Sequence, residues 1–199
     1  PKQSFFGIVI PERYGGLGLG AFEYCLVAEE LAKGWMSVAS LIARGNSFYK
    51  SIPGNGPERD EKIAGMARGR YLGAAALSEP QAGSDLSSVS CRARRDGDDW
   101  IIAGNKYWCT FADGADFISV LCRVDGDCDG AAEAKRTVYV VIEKPRGTLP
   151  TGVSGSPIPK IGYHGWKTWE LHFDNVRAPY YSGGDSPNRA FQSVRSEER

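Results

Sequence analysis

Two short segments of this chain carry residue types that could hold a flat, anionic ligand. The first, residues 74–85, reads AAALSEPQAGSD, and the second, residues 106–110, reads KYWCT. The first predicts a small apolar strand that runs into a loop, and the Gly83-Ser84 tip of that loop can present backbone N–H groups and a hydroxyl to an anion. In the second, Trp108 offers a flat surface and Thr110 a short hydrogen-bonding group. Together they predict a flat, phosphate-bearing cofactor rather than a metal or a nucleophile.

Composition excludes several classes of protein. The chain has 199 residues, 42% of them hydrophobic, which is enough for one large domain or two small ones. Its 24 basic and 24 acidic residues give no net charge, which argues against a nucleic-acid-binding protein. The five cysteines form no C-x-x-C pair, so we expect reduced thiols in a cytosolic or organellar compartment. No apolar run reaches the length of about 20 residues that a membrane span needs.

Hydrophobic spacing predicts helices first and strands afterwards. The 3.6-residue period favours helices over 21–33, with Gly34 as the stop, and over about 37–49, and Pro57 is placed to open a third helix. From residue 72 the period becomes that of strands, predicted at 89–94, 100–103, 117–124, 137–143 and 169–173. Turns are predicted at 96–98 and 104–105, and residues 144–165 are predicted to be an ordered loop over the sheet. This order indicates an α+β fold with an antiparallel sheet.

Four features have competing interpretations. The sequence from Gly16 to Ala21 satisfies the G-x-G-x-x-A pattern of a Rossmann site. However, residues 11–14 separate it from the preceding apolar run, and the residues near the required acidic position are uncharged, so a turn that leads into a helix is favoured. The loop at 79–85 could be only a β-turn with an Asp cap, and Trp108 could be a core residue. His164 and His172 have no partner at metal-ligand spacing, so no metal site is predicted.

The paired motifs resemble a known family. ALSEPQAGSD followed by KYWCT is similar to the flavin-binding middle domain of the acyl-CoA dehydrogenases, where the usual patterns are LTEPxxGSD and KxWIT. The segments IPERYGGLGL and CLVAEELAKG, at 10–19 and 25–34, resemble the family's N-terminal helical region. HFDNVRAP, at 172–179, resembles the close of the middle domain. The order and spacing of these segments match over most of the chain.

The resemblance implies a domain organisation. Residues 1–73 would form an incomplete N-terminal helical domain, residues 74–182 a middle β-barrel that binds flavin and acyl-CoA, and residues 183–199 the start of a truncated C-terminal helical domain. The family's catalytic base is a Glu of that C-terminal domain. We therefore assign no catalytic residue within residues 1–199 and expect this stretch alone to be inactive.

The resemblance also implies roles for individual residues. Leu77 and Ser78 would meet the pyrimidine edge of the flavin, and Gly83 and Ser84 would lie along its phosphates, with Ser84 also at the mouth of the acyl-CoA site. Trp108, Cys109 and Thr110 would line the flavin, with Trp108 stacking on it and Thr110 facing N5. Ser78 stands where the family usually has Thr, and Cys109 replaces a usual Ile; Phe111 and Ala112 also depart from the pattern. Trp166 falls where relatives often place a serine near the mouth of the CoA site, and it could equally be an aromatic lid over the barrel.

The function implied is FAD-dependent α,β-dehydrogenation of an acyl-CoA to a trans-2-enoyl-CoA, as in fatty-acid β-oxidation. Electrons would pass to an electron-transfer flavoprotein, and the enzyme would be a homodimer or homotetramer in the bacterial cytoplasm or the mitochondrial matrix. Alternatives on the same scaffold are an acyl-CoA oxidase, a flavin monooxygenase-like relative and a non-catalytic partner subunit. The presence of Ser78, Gly83, Ser84, Trp108 and Thr110 together argues against the last of these.

Overall fold

The computed structural model describes residues 4–125 and 137–181, which fall into two compact units. The first, the helical unit, contains the chain up to Gly73 and also the segment Pro159–Trp166. The second, the sheet unit, contains the described residues of 74–158 and those from Lys167 onward. Cys128, most of the polar loop at 125–136 and the predicted C-terminal segment 183–199 lie outside the described residues.

Two α-helices dominate the helical unit. Helix α1 spans Ala21–Asn46, and helix α2 spans Pro57–Ala67 with Pro57 in its first turn, as predicted. Short 3₁₀ turns lie at Phe5–Gly7, Glu12–Tyr14 and Tyr49–Ser51. Trp35, with an extended backbone (φ −163°, ψ 115°), interrupts α1 one residue after the predicted stop at Gly34. The two predicted helices are therefore two parts of one interrupted helix.

The segment Pro159–Trp166 packs against α1 just after the interruption. The Ser37 hydroxyl accepts a hydrogen bond from the Gly165 amide at 3.1 Å, and the Ser37 carbonyl accepts one from the Trp166 indole at 2.7 Å. The Tyr163 hydroxyl is hydrogen-bonded to Ser40. This part of the predicted loop 144–165 is therefore an ordered segment held by hydrogen bonds to α1.

The sheet unit is built on eight strands, whose bounds are β1 Gly73–Ala76, β2 Arg92–Asp96, β3 Asp99–Thr110, β4 Phe117–Asp125, β5 Thr137–Glu143, β6 Val153–Pro157, β7 Thr168–Ala178 and β8 Tyr180–Tyr181. The order in the sheet is β6-β7-β3-β2-β4-β5-β8, and β1 pairs with β4. Strands β3 and β8 approach each other, as do β5 and β7, although neither pair is adjacent in this order. The sheet therefore curls into a half-barrel, and the predicted α+β class is confirmed.

Strand β2 begins three residues later than the strand predicted at 89–94, and β8 is not predicted. Three further departures from prediction concern the course and pairing of the strands. Residues 104–105 form no turn, because β3 continues through them and pairs with β7. Strand β6 lies inside the predicted loop 144–165, and its pairing with β7 is antiparallel. Strands β2 and β4 are parallel, with Arg92 opposite Arg123, so the sheet is mixed. Alternating burial in β2, β3 and β7 marks an inward face that includes Ala93, Ile102, Leu171 and Phe173, whereas residues 117–122 of β4 are buried without a break.

Gly104 marks a close approach within this sheet. It has φ +140°, and a Cβ at this position would lie 2.7 Å from the Cα of Cys91. It also sits at a register shift between β3 and β7. Only glycine satisfies both the backbone conformation and the contact.

We predict that Gly104→Ala destabilises the protein more than Gly97→Ala. Gly97 has φ +63° and open space around its Cα, so alanine there adds only backbone strain of about 1–2 kcal/mol. At Gly104 an overpacking cost of about 1–3 kcal/mol adds to that strain. Thermal unfolding followed by circular dichroism measures both variants, and equal losses would show that the contact with Cys91 is not limiting.

Candidate functional site

The first predicted segment forms a tight turn followed by an exposed tip. The Glu79 amide donates to the Ala82 carbonyl at 2.7 Å, and the Ala82 amide donates back at 3.1 Å, so Pro80 and Gln81 occupy the centre of a β-turn. Asp85 caps the 3₁₀ turn Leu86–Ser88 by accepting from the Ser87 amide. The turn and the Asp cap of the simpler interpretation are thus present. Between them Gly83 and Ser84 are exposed, and a Cβ at Gly83 would meet no atom within 4 Å, so the tip is open.

The second predicted segment contains a β-bulge. Lys106 is opposite Leu171 and Cys109 is opposite Trp169, so three steps along β3 match two along β7. Trp108 takes up the extra residue with φ +64°, a conformation that is strained for a bulky side chain. Cys109 is fully buried, whereas Trp108 is 54% exposed. The bulge therefore turns the indole outward, and the interpretation of Trp108 as a core residue is wrong.

A buried ion pair lies behind both segments. Lys106 Nζ is 2.8 Å from Glu79 Oε1, and the two side chains are 0% and 1% exposed. The Glu79 carboxylate also accepts from the Ser90 amide and hydroxyl, both at 2.7 Å, and from the Cys91 amide at 2.9 Å. Gln81 Nε2 donates to it at 2.7 Å. Both charges are compensated and hydrogen-bonded, as burial of an ion pair requires.

Lys106 and the residue after it bring the two segments together. Lys106 Nζ donates to the Leu77 carbonyl at 2.8 Å, and the Tyr107 amide donates to the Ser78 carbonyl at 2.8 Å. Within the part of the chain that the structure describes, the Ser78 amide and hydroxyl have no hydrogen-bond partner. Two donor groups of Ser78 are therefore available beside the bulge.

Thr110 ends strand β3 against the start of β7. Its hydroxyl is 3.0 Å from the hydroxyl of Thr168, which is 2% exposed. The next residue, Phe111, has φ +72°, and its amide donates to the Lys167 carbonyl at 2.9 Å. Because Thr168 is held in the core, it fixes the orientation of the half-buried Thr110 hydroxyl.

A groove borders the same strands. It has a volume of about 480 Å³ and is lined by side chains of the turn and of β3, β6 and β7, including Pro80, Tyr107, Ser156 and Glu170. Among its lining residues, the Nδ1 atom of His172 is hydrogen-bonded to Asn105 Oδ1 at 2.8 Å. Its size is within the range of small-molecule sites.

Trp166 differs from the other predicted site residues because it belongs to the helical unit. Its indole N–H is already bonded to the Ser37 carbonyl, so it can offer only its ring to a ligand. Leu77, Ser78, Gly83, Ser84, Trp108, Cys109 and Thr110 all belong to the sheet unit. The role of Trp166 in substrate binding stays a prediction.

Sequence reasoning misses Glu79, Lys106 and Thr168. A signal for Lys106 is present, because Trp100, Ile102 and Lys106 occupy inward positions of one alternating strand, and a lysine at an inward position requires a buried partner. Nothing in the local pattern identifies that partner as Glu79, 27 residues earlier.

Burial would raise the pKa of Glu79, but hydrogen bonds from Lys106, Ser90 and Cys91 outweigh it and lower the pKa to about 2, from an ordinary value of 4.5. The folded state therefore favours the ionised carboxylate. This stabilisation, about 3 kcal/mol, is fully present above the unfolded pKa and is lost as the pH falls from about 4.5 through about 2.

We predict that Glu79→Gln costs most stability at neutral pH and that its deficit shrinks as the pH falls toward 2. The reason is that the parent protein loses its ionised carboxylate over this range while the variant has none to lose. Melting temperatures measured from pH 7 down to the acid limit of folding test this. Glu30→Gln removes one carboxylate from an exposed position on α1 and serves as the control; a deficit independent of pH would contradict the role of the Glu79 charge.

Neither a metal-binding cluster nor a membrane-spanning helix occurs in the described part of the chain. Residues 4–125 and 137–181 contain no cluster of three or more His, Cys, Asp or Glu side chains placed to hold a metal ion. Over the same ranges, no helix is both long and apolar enough to cross a membrane.

Three proteins of similar sequence or structure are each named as the dehydrogenase of a CoA compound. The (2S)-methylsuccinyl-CoA dehydrogenase of Cereibacter sphaeroides is 35% identical over 88% of this chain and 33% of its own length. The mitochondrial isovaleryl-CoA dehydrogenase of Arabidopsis thaliana is also 35% identical, over 88% of this chain and 42% of its own length. A glutaryl-CoA dehydrogenase from Mycobacterium smegmatis, solved in complex with FADH2, superposes with a TM-score of 0.74 at 27% identity, over 96% of this chain and 48% of its own.

This chain thus spans between a third and a half of the length of these proteins. Residues 2–70 match the family model of the acyl-CoA dehydrogenase N-terminal domain, and residues 74–176 match that of the middle domain. The chain therefore belongs to the acyl-CoA dehydrogenase family.

Proposed function

We propose that this chain supplies the flavin-binding part of an enzyme that dehydrogenates an acyl-CoA to a trans-2-enoyl-CoA with FAD as cofactor. The observation that carries the proposal is the joining of the loop 77–85 to the Trp108 bulge through Lys106 and Tyr107. The names of the similar proteins, and FADH2 in one of their structures, support it.

The described residues fit FAD. The outward-facing indole of Trp108 gives a flat apolar surface, and Ser78 has an amide and a hydroxyl free to bond the polar edge of a ring. The open tip at Gly83 and Ser84 suits the close approach of a phosphate to backbone N–H groups. We propose Leu77, Ser78, Gly83, Ser84, Trp108, Cys109 and Thr110 as the residues that would hold the cofactor. FAD supplies the two-electron chemistry of the reaction when it is bound.

Ser78 and Thr110 would provide hydroxyl groups toward the reacting ring, with Thr168 orienting Thr110. Glu79 is unsuited to remove the α-proton, because it is buried and its hydrogen bonds hold its pKa at about 2. We assign no catalytic base to residues 1–199. That the base lies outside this stretch, and that the stretch alone is inactive, stay predictions.

The partners proposed are the acyl-CoA substrate, for which Ser84 and Trp166 are the candidate contacts, and an electron-transfer flavoprotein. We also propose a homodimer or homotetramer located in the bacterial cytoplasm or the mitochondrial matrix; the Arabidopsis relative is named as mitochondrial. An acyl-CoA oxidase would differ in its electron acceptor. Anaerobic reduction by acyl-CoA, followed by a comparison of re-oxidation by oxygen and by electron-transfer flavoprotein, tests the activity and separates these two functions.

We predict that Trp108→Ala lowers flavin affinity about 5- to 150-fold, because stacking of a ring on an aromatic side chain contributes about 1–3 kcal/mol. The dissociation constant for FAD, measured by fluorescence titration of the natural full-length apoprotein, reports the effect. Trp35→Ala is the matched control, since Trp35 is 58% exposed but belongs to the helical unit. Unchanged flavin affinity in Trp108→Ala would remove the stacking role.

We predict that Ser78→Ala and Thr110→Val each slow flavin reduction by acyl-CoA. Loss of a donor that faces developing charge costs about 2.7–4 kcal/mol, and we expect Ser78→Ala at or below the low end of this range, since serine lacks the methyl group that restricts the threonine rotamer. Anaerobic stopped-flow absorbance gives the rate. The control is Thr148→Val, which removes an exposed hydroxyl of the sheet unit bonded to the Pro145 carbonyl. If both site variants reduce their flavin at the parental rate and with unchanged flavin content, the two hydroxyls have only a structural role.

A further inference from the structure

Ser78 is held from both sides by consecutive residues of β3. The Leu77 carbonyl, in the peptide group that precedes Ser78, accepts a hydrogen bond from the Lys106 ammonium. The Ser78 carbonyl, in the peptide group that follows, accepts one from the Tyr107 amide. In a trans peptide the N–H points opposite to the C=O. Because the Leu77 carbonyl points to buried Lys106, the Ser78 N–H of that same peptide group points away from the ion pair.

The bond to Lys106 also changes the strength of this N–H as a donor. A peptide whose carbonyl accepts a hydrogen bond is polarised, and its N–H becomes a better donor; the effect per bond is about 10–30%. In this case the donor to the carbonyl is a full charge in a site from which water is excluded, since Lys106 is 1% exposed. The charge itself stays in the interior, and only its influence on the Leu77–Ser78 peptide reaches the ligand side.

We propose that Lys106 is a positioning residue that aims and polarises the Ser78 N–H toward the bound cofactor and so raises the cofactor's reduction potential. This inference rests on the proposed function, and it assigns to the buried pair a role beyond holding the fold. A reduced flavin carries more negative charge than an oxidised one, so a stronger donor at its edge favours the reduced form.

Because Lys106 is paired with Glu79, a comparison of the single and double variants separates an electrostatic role of Lys106 from a packing role. In Lys106→Met, the donor to Leu77 is lost and the negative Glu79 loses its counter-charge, so both effects disfavour the reduced cofactor. In the double variant Glu79→Gln/Lys106→Met, only the first effect remains. Replacement of both partners of a buried ion pair by neutral groups is often tolerated, so the double variant is expected to fold even if the single one does not.

The experiment measures the reduction potential of bound FAD in the natural full-length protein, against reference dyes. For Lys106→Met we expect about a tenfold loss of preference for the reduced form, which for a two-electron couple is a fall of about 30 mV. For the double variant we expect a smaller fall of the same sign. Hydrogen exchange at the Tyr107 amide should also be faster in Lys106→Met, since this amide reports the position of the Ser78 carbonyl.

The matched control is Lys144→Met. Lys144 is another buried lysine of the sheet unit, and its ammonium donates to the carbonyls of Asp113, Ala115 and Pro145 rather than to the loop 77–85. It should change the potential less than Lys106→Met. A parental potential in the double variant would overturn the inference, because the pair would then act only through packing. A parent protein that binds no flavin would instead refute the proposed function.

Discussion

A charge removed from water must be paired, and in the sheet unit this requirement is met by contacts that join two distant parts of the chain. Glu79 and Lys106 are both almost completely buried, and each would be strongly destabilising without the other, by about 3–5 kcal/mol on removal of one partner. The carboxylate needs more donors than one lysine supplies, so Ser90 and Cys91 contribute their amides. The ammonium needs more than one acceptor, so it takes the Leu77 carbonyl. Satisfying the two charges thereby fixes the loop 77–85 against β3.

The bulge at Trp108 depends on the same anchor. In strand β3 the buried residues Trp100, Ile102 and Lys106 have even numbers, whereas the next buried residue, Cys109, has an odd number. The change of phase requires one extra residue, and Trp108 accommodates it only in a left-handed conformation. Such a conformation persists where the surroundings enforce it. Lys106 is fixed by the ion pair on one side and Cys109 by the core on the other, so the residues between them have little freedom to relax.

The sequence reveals the strand period and most of the candidate site residues, but not the contacts that position them. Strand β5 is predicted with its observed bounds because its continuous run of β-branched and aromatic residues at 138–142 is local information. The sequence predicts a turn at 104–105 because a Gly-Asn pair is a frequent turn signal. This prediction is wrong because pairing with β7 carries the strand straight through these residues. Strand β6 escapes prediction because its serines, glycine and proline have low strand propensity, and only its long partner β7 makes it a strand. In the last two cases a distant partner overrides local preference.

The site shows the same division between local and distant information. Ser78, Gly83, Trp108 and Thr110 are proposed as site residues from motifs of neighbouring residues, and all of them present uncharged groups. The residues that escape prediction, Glu79, Lys106 and Thr168, are buried and contact partners far along the chain. This arrangement has a physical basis: a charge placed directly at an apolar ring would be exposed to water and weakened, whereas a charge in the interior is unscreened but must be neutralised. A peptide group between the two, such as Leu77–Ser78, can transmit the field of the interior charge while it presents a neutral donor at the surface.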